Sequence, residues 1–230
     1  MTPPLIVALD VPSLSAATAL VDRLDESCDF YKVGLELYTA AGPAAVEMLR
    51  ERRKSVFLDL KLYDIPNTVR GAARAAAGLG ATLLSVHASG GRVMLEAAVE
   101  GAGAECGVLA VTLLTSLDAA AAAELWGRPV ESVEAEVLRL AALAAAADTH
   151  GIVCGGPELR AVRGRHGRSL ALLVPGIRAA GAPSHDQART MTADEAAREG
   201  ASYLVVGRAV TLAADPVAAL AELRASITAR

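Results

Sequence analysis

The chain has 230 residues, of which 53% are hydrophobic and 21% charged, an apolar share that excludes a disordered or tail-like protein because ample surface is available to bury. Lys and Arg number 22 against 26 Asp and Glu, a net charge of −4, and aromatic residues make up only 3%. So few cations and stacking rings exclude a general nucleic-acid-binding surface, although an anionic small molecule needs only a few well-placed cations and amides.

In chain order, eight β-branched or Leu-rich runs recur: Leu5–Asp10, Phe30–Gly34, Val56–Lys61, Leu83–His87, Gly107–Leu113, Gly151–Cys154, Ala171–Pro175 and Tyr203–Gly207. Stretches with helical spacing lie near 13–26, 43–53, 67–78, 91–102, 131–147, 157–165, 192–199 and 215–227. This βα alternation predicts a parallel sheet covered by helices. The count of eight favours an α/β fold of the closed (β/α)8 TIM-barrel type, one domain spanning 1–230, over an open doubly wound sheet.

Local punctuation supports the helices. Ser13 and Thr192 stand where side-chain oxygens cap free amides, and Glu195 completes a capping-box spacing with Thr192. Pro157 and Pro216 fit first-turn positions. The insertion from Ser116 to Arg128, with Ala119–Ala123 and the lone Trp126, predicts a short extra helix.

Cys28, Cys106 and Cys154 are odd in number and widely spaced, which supports neither a disulfide framework nor a zinc site. The start, Met1-Thr-Pro-Pro, lacks a basic stretch, and the apolar run Leu5–Leu9 stops at Asp10, so no secretion signal is expected. The Ala/Leu tract Leu140–Ala147 is eight residues long, far short of the roughly 20 that cross a bilayer. A cytoplasmic protein with no membrane partner is the expectation.

In a parallel barrel the C-terminal ends of the strands line one mouth, so the residues there carry the chemistry. They are unusually polar: Asp10, Lys32, Asp59 and Lys61 leading to Asp64, His87, Thr112 and Thr115, Arg178, and Gly207-Arg208. With a side-chain period of two, Asp59 and Lys61 share the inward face of one strand while Leu58 and Leu60 face the helices. Charges in so confined a place must form a network, because unpaired buried charge is costly. Lys32, Asp59, Lys61 and Asp64 are candidates either for a structural ion-pair cluster or for catalysis. A strand ending in Gly207-Arg208 before a helix offers free amides and a guanidinium fork to a phosphate, unless Gly207 is a turn glycine and Arg208 a solvated charge. Arg178 and Gln187 lie in a loop able to close over the same anion, and Ala179–Asp186 has a lid-like composition. His87, on an apolar strand, reads as a core histidine; His150, His166 and His185 read as surface. No dinucleotide fingerprint, Walker loop, zinc-protease helix or serine elbow occurs.

At Asp59-Leu-Lys61-Leu-Tyr-Asp64-Ile-Pro-Asn-Thr68 the sequence resembles the orotidine 5′-phosphate decarboxylase family. The resemblance extends in order through Val7-Ala-Leu-Asp10, Tyr31-Lys32-Val-Gly34, Val86-His87-Ala, Leu114-Thr115-Ser116, Pro175-Gly-Ile-Arg178, Asp186-Gln187-Ala-Arg189 and Val205-Val-Gly207-Arg208-Ala. It departs at Thr190-Met191, where the family has Thr-Pro, and in a short lid. The resemblance implies a barrel that converts orotidine 5′-phosphate to UMP and CO2, the last step of UMP biosynthesis, with no metal or organic cofactor. It implies that Lys61 is the proton donor and that Lys32, Asp59 and Asp64 complete a charge array. It further implies that Asp10 and Lys32 bind ribose hydroxyls, Thr115 and Ser116 the base region, and Arg178, Gln187, Gly207 and Arg208 the phosphate. Members of the family are homodimers in which the segment of Asp64, Ile65 and Thr68 reaches the neighbouring site, and the same is expected here. Two alternatives stand beside this reading. One is a Mg2+-dependent decarboxylase or aldolase of keto-sugar phosphates, whose barrel shares the Asp-x-Lys-x-x-Asp strand; the other is a nucleotide-binding barrel without catalysis.

Overall fold

The computed structural model describes residues 2–178 and 191–228. Its strands are β1 (Leu5–Ala8), β2 (Phe30–Gly34), β3 (Ser55–Leu62), β4 (Leu83–His87), β5 (Gly107–Val111), β6 (Gly151–Val153), β7 (Ala171–Val174), β8 (Ile177–Arg178), β9 (Met191–Thr192) and β10 (Tyr203–Val206). All of these except β8 and β9 form a closed parallel barrel in the order β1-β10-β7-β6-β5-β4-β3-β2. The expected (β/α)8 barrel is therefore observed, with strand ends shifted by a residue or two. The short strands β8 and β9 pair with each other outside it, Ile177 opposite Met191 and Arg178 opposite Thr192.

The helices are α1 (Leu14–Leu24), α2 (Leu35–Ala41), α3 (Ala44–Glu51), α4 (Pro66–Gly78), α5 (Arg92–Ala102), α6 (Ala119–Trp126), α7 (Val133–Ala146), α8 (Leu159–His166), α9 (Ala193–Arg198), α10 (Arg208–Thr211) and α11 (Pro216–Thr228). The caps foreseen are present: Ser13 accepts from the Ala16 amide, and Thr192 and Glu195 form a reciprocal capping box. The predicted extra helix is α6, capped by Asp118. Its return to α7 is clamped by Glu136, whose buried carboxylate accepts from Arg128 at 2.7 Å and from Arg139 Nε at 2.8 Å.

Strand alternation divides the apolar side chains into two groups. One fills the space between strands and helices, with Val7, Tyr31, Val33, Leu58, Leu84, Val86 and Leu204 contributed by the strands. The other fills the barrel interior: Ile6, Ala8, Phe57, Leu83, Leu109, Leu173 and Val205, with Phe30, Val153 and Tyr203 packed against them. Small residues let α4 and α5 approach closely, to the point that a Cβ added at Gly101 would lie 2.2 Å from the Arg70 carbonyl oxygen. The three cysteines are buried and form no disulfide. No helix among the described residues is long and apolar enough to cross a membrane.

Candidate active site

Along β2, β3 and β4 the inward positions change from apolar to polar toward the C-terminal end. On β2 the inward sequence is Phe30, Lys32, Gly34; on β3 it is Phe57, Asp59, Lys61; on β4 it is Leu83, Ser85, then His87. Parallel register sets Lys32 beside Phe57 and Gly34 beside Asp59, so the polar positions of neighbouring strands meet above the interior plug. A cavity of about 630 Å3 opens there, within the roughly 300–1,000 Å3 usual for small-molecule sites. Asp10, Lys32, Gly34, Asp59, Lys61, Thr115, Pro175, Gly207 and Arg208 line it, with Val111, Leu113, Val153 and Cys154 supplying an apolar wall.

The charges form a row of alternating sign. Asp10 Oδ1 lies 2.8 Å from Lys32 Nζ, Lys32 Nζ lies 3.6 Å from Asp59 Oδ2, and Lys61 Nζ donates to both oxygens of Asp59 at 2.8 and 2.9 Å. Lys32 and Asp59 are only 9% and 8% exposed, so each needs the other: removing either partner would strand a buried charge. Burial alone would push the Asp59 carboxyl up. The ammonium groups of Lys32 and Lys61, with hydrogen bonds from Lys61 and Ser85, outweigh it and hold that carboxyl below the ordinary carboxylate value.

Two backbone features make the row possible. A side chain at Gly34 would place its Cβ 2.7 Å from Lys32 Nζ and 2.9 Å from Asp10 Oδ1, so the missing side chain leaves the space in which that pair meets. On β3 the pairing with β4 shifts register between Leu58 and Leu62, and Lys61 adopts a positive φ of 50°. Strict period two would not require that bulge, yet Asp59 and Lys61 still both face the cavity, as the alternation predicted.

The remaining expected site residues are distributed unevenly. Asp64 does not join the row: it is exposed, and its Oδ1 accepts from the Ile65 amide at 2.6 Å. Ile65 and Thr68 are also exposed and outside the cavity wall of this chain. The expected four-charge network of one chain therefore holds Lys32, Asp59 and Lys61, with Asp10 in the place next to Lys32. Thr115 reaches the cavity, whereas Ser116 is exposed on the same loop. Gly207 caps α10, with open space where a Cβ would stand. The backbone of Arg178 is fixed by pairing with Thr192. Gln187 and the Ala179–Asp186 segment lie outside the described residues.

His87 is half-buried at the end of β4, with Tyr63 edge-on 5.9 Å from its ring. Burial, then the Lys61 ammonium, push its pKa down, partly offset by Asp59. Leu35, Glu36 and Cys154 also line the cavity and were not anticipated. Nor was Ser85, although a hydroxyl at an inward position of an otherwise apolar strand is a legible signal. Among the described residues no three His, Cys, Asp or Glu side chains converge.

Fold and site together define a (β/α)8-barrel protein whose mouth presents alternating carboxylates and ammonium groups to a small-molecule cavity. The sequence profile described as the Orotidine 5'-phosphate decarboxylase / HUMPS family matches residues 3–223, and the chain belongs to that family. It is similar to the orotidine 5′-phosphate decarboxylase of Moorella thermoacetica (strain ATCC 39073 / JCM 9320), 50% identical over 97% of this chain and 91% of that protein. Its identity to the corresponding protein of Anaeromyxobacter sp. (strain K) is 52%, over 96% of each. The crystal structure of orotidine 5′-phosphate decarboxylase from Lactobacillus acidophilus superposes with a TM-score of 0.88 at 34% identity, covering 98% of this chain and 99% of that one. The resemblance read from the motifs is borne out.

Proposed function

We propose that this chain decarboxylates orotidine 5′-phosphate to UMP and CO2, with Lys61 as the proton donor. The observation that carries the reading is the Lys61 ammonium held at the cavity wall by both oxygens of Asp59. Breaking the bond between C6 and the carboxylate leaves its electron pair on C6, a carbanion with no adjacent carbonyl to accept it. A fixed ammonium beside that carbon stabilises the charge as it develops and then transfers its proton to C6. Asp59 keeps the ammonium in place and, beside the departing carboxylate, adds repulsion that is relieved as CO2 leaves. Asp10 and Lys32 are assigned to the ribose, Thr115 and Ser116 to the base, and Gly207 and Arg208, with Arg178 and Gln187, to the phosphate.

The active form proposed is a homodimer. Asp64, Ile65 and Thr68 stand exposed and apart from their own chain's cavity, which suits a role in the neighbouring subunit's site. Tyr63, Ile65 and Val93 add large apolar side chains that are 63%, 67% and 64% exposed. The Mg2+-dependent alternative needs carboxylates free to hold a cation. Here Asp59 is engaged by two ammonium groups and a hydroxyl, and Asp64 accepts from the Ile65 amide, which favours the nucleotide reaction.

The test is the fall in ultraviolet absorbance of orotidine 5′-phosphate on adding purified protein with EDTA, beside a Lys61→Ala control. Loss of substrate that disappears in the control supports the reading. No loss with the unsubstituted protein overturns it, and turnover of keto-sugar phosphates only with Mg2+ would replace it.

A further inference from the structure

Ser85 lies beneath the charge row, at 0% exposure, on the inward face of β4 between Leu83 and His87. Its hydroxyl donates to Asp59 Oδ1 at 2.8 Å and accepts the Lys61 amide N–H at 2.8 Å. A serine hydroxyl has one proton to give, and that proton goes to the carboxylate that holds the ammonium; a lone pair takes the main chain of the residue that bears it.

The need for such a bridge comes from the bulge. From Leu58 to Leu62 β3 advances four residues while β4 advances two, from Leu84 to Val86. The excess is absorbed where Lys61 takes its positive φ, a conformation costly for a non-glycine residue that persists only where surrounding contacts impose it. Ser85 is such a contact, since it holds the Lys61 amide directly. The neighbouring interior positions Leu83 and Leu109 are apolar, so packing alone would be served by an apolar side chain, and a hydroxyl buried there is favourable only when hydrogen-bonded.

We propose that Ser85 is a positioning residue for the decarboxylation, locking the β3 bulge and the Asp59 carboxylate together so that the Lys61 ammonium is presented at one fixed point. The proposal rests on the reading of the site given above. Ser85 also belongs to the set of groups that keep Asp59 ionised. The others facing Asp59 are Lys32 from β2, Lys61 from β3 and His87 from β4, with Asp10 beyond Lys32.

The experiment compares Ser85→Ala, Ser85→Thr and the unsubstituted protein with orotidine 5′-phosphate. Ser85→Ala is expected to lower kcat about 10- to 100-fold, the scale of a small displacement of a reacting group, with KM changed less than about 3-fold. Its acid limb of kcat moves to higher pH, because Asp59 loses a donor that favours its charged form. The Lys61 amide exchanges faster with solvent deuterium, and Ser85→Thr, which keeps the hydroxyl, recovers most of the turnover. If Ser85→Ala does not fold, Ser85→Cys, nearly the same size but a poor hydrogen-bonding group, carries the same expectations. A kcat within about 2-fold of the unsubstituted value, or an unmoved acid limb with unchanged exchange at Lys61, overturns the proposal while the decarboxylase reading stands. An inactive unsubstituted protein overturns that reading and the proposal with it.

Discussion

Lys61 and Asp59, two positions apart on one strand, face each other as a forked pair, the ammonium 2.8 and 2.9 Å from the two carboxylate oxygens. The pair contributes to the acid stability of the fold. The folded pKa of Asp59 is lowered, so the stability it contributes is present above its ordinary value of 3.8 and is lost as pH falls through the lower folded value. The pKa of His87 is also lowered, so its contribution is present above 6.5 and is lost as pH falls through its folded value, earlier in the descent. Urea midpoints are therefore expected to fall in two stages as pH drops from neutrality, the first shared by His87 with His150 and His166, whose pKa values burial also lowers. In His87→Leu the first stage should shrink while the acid stage remains; an identical first stage would remove His87 from the account.

Gly34→Ala is expected to fold with only a modest loss of stability, because the atoms its Cβ would meet are side-chain tips, of Lys32 and Asp10, that can shift while Lys32 keeps Asp59 as a partner. Turnover of orotidine 5′-phosphate should nevertheless fall about 10- to 100-fold, since those tips must separate and the row loses its spacing. Thermal denaturation and steady-state kinetics on the same preparation check both halves.

Gly101→Ala should show the reverse. Its Cβ would meet a backbone oxygen, Arg70 O, at 2.2 Å, and main chain cannot swing aside, so α4 and α5 must move apart. A loss of roughly 1–3 kcal/mol is expected, the range for overpacking, measured by urea unfolding. The kcat of the folded protein at low temperature should stay close to the unsubstituted value.

Subunits bearing Asp64→Asn, mixed with subunits bearing Lys61→Ala, should regain activity that neither has alone. In a twofold dimer with shared sites, random exchange leaves half the dimers mixed, each with one intact site, so about one quarter of full activity is expected. Absence of recovery despite demonstrated subunit exchange would place Asp64 in its own chain's chemistry.

The barrel was legible because eight apolar strand-like runs alternate with helical stretches, and period two on β3 then sets Phe57 and Asp59 inward and Leu58 outward wherever the strand ends fall. Helices α1 and α9 were legible from their caps. Helix α2 was not: it follows Gly34 directly and has no side-chain cap to mark its start. The charged row was legible as a set of residue types, but its membership depended on backbone geometry. A lysine carries no mark of the positive φ it will adopt, and Asp64 looks like a fourth member until the chain turns it to the Ile65 amide. Gly34 read as a strand end, because the space it leaves for Lys32 and Asp10 exists only once β1 and β2 are paired.

The plug of Ile6, Ala8, Phe57, Leu83, Leu109, Leu173 and Val205 fills the barrel interior beneath the polar cavity. If Lys61 is the proton donor proposed above, the proton it gives up is replaced from the mouth side, where Lys61 lines the cavity. On that reading, recharging the lysine and emptying the site share the polar face of the barrel, and a new cycle begins when solvent has followed the product out.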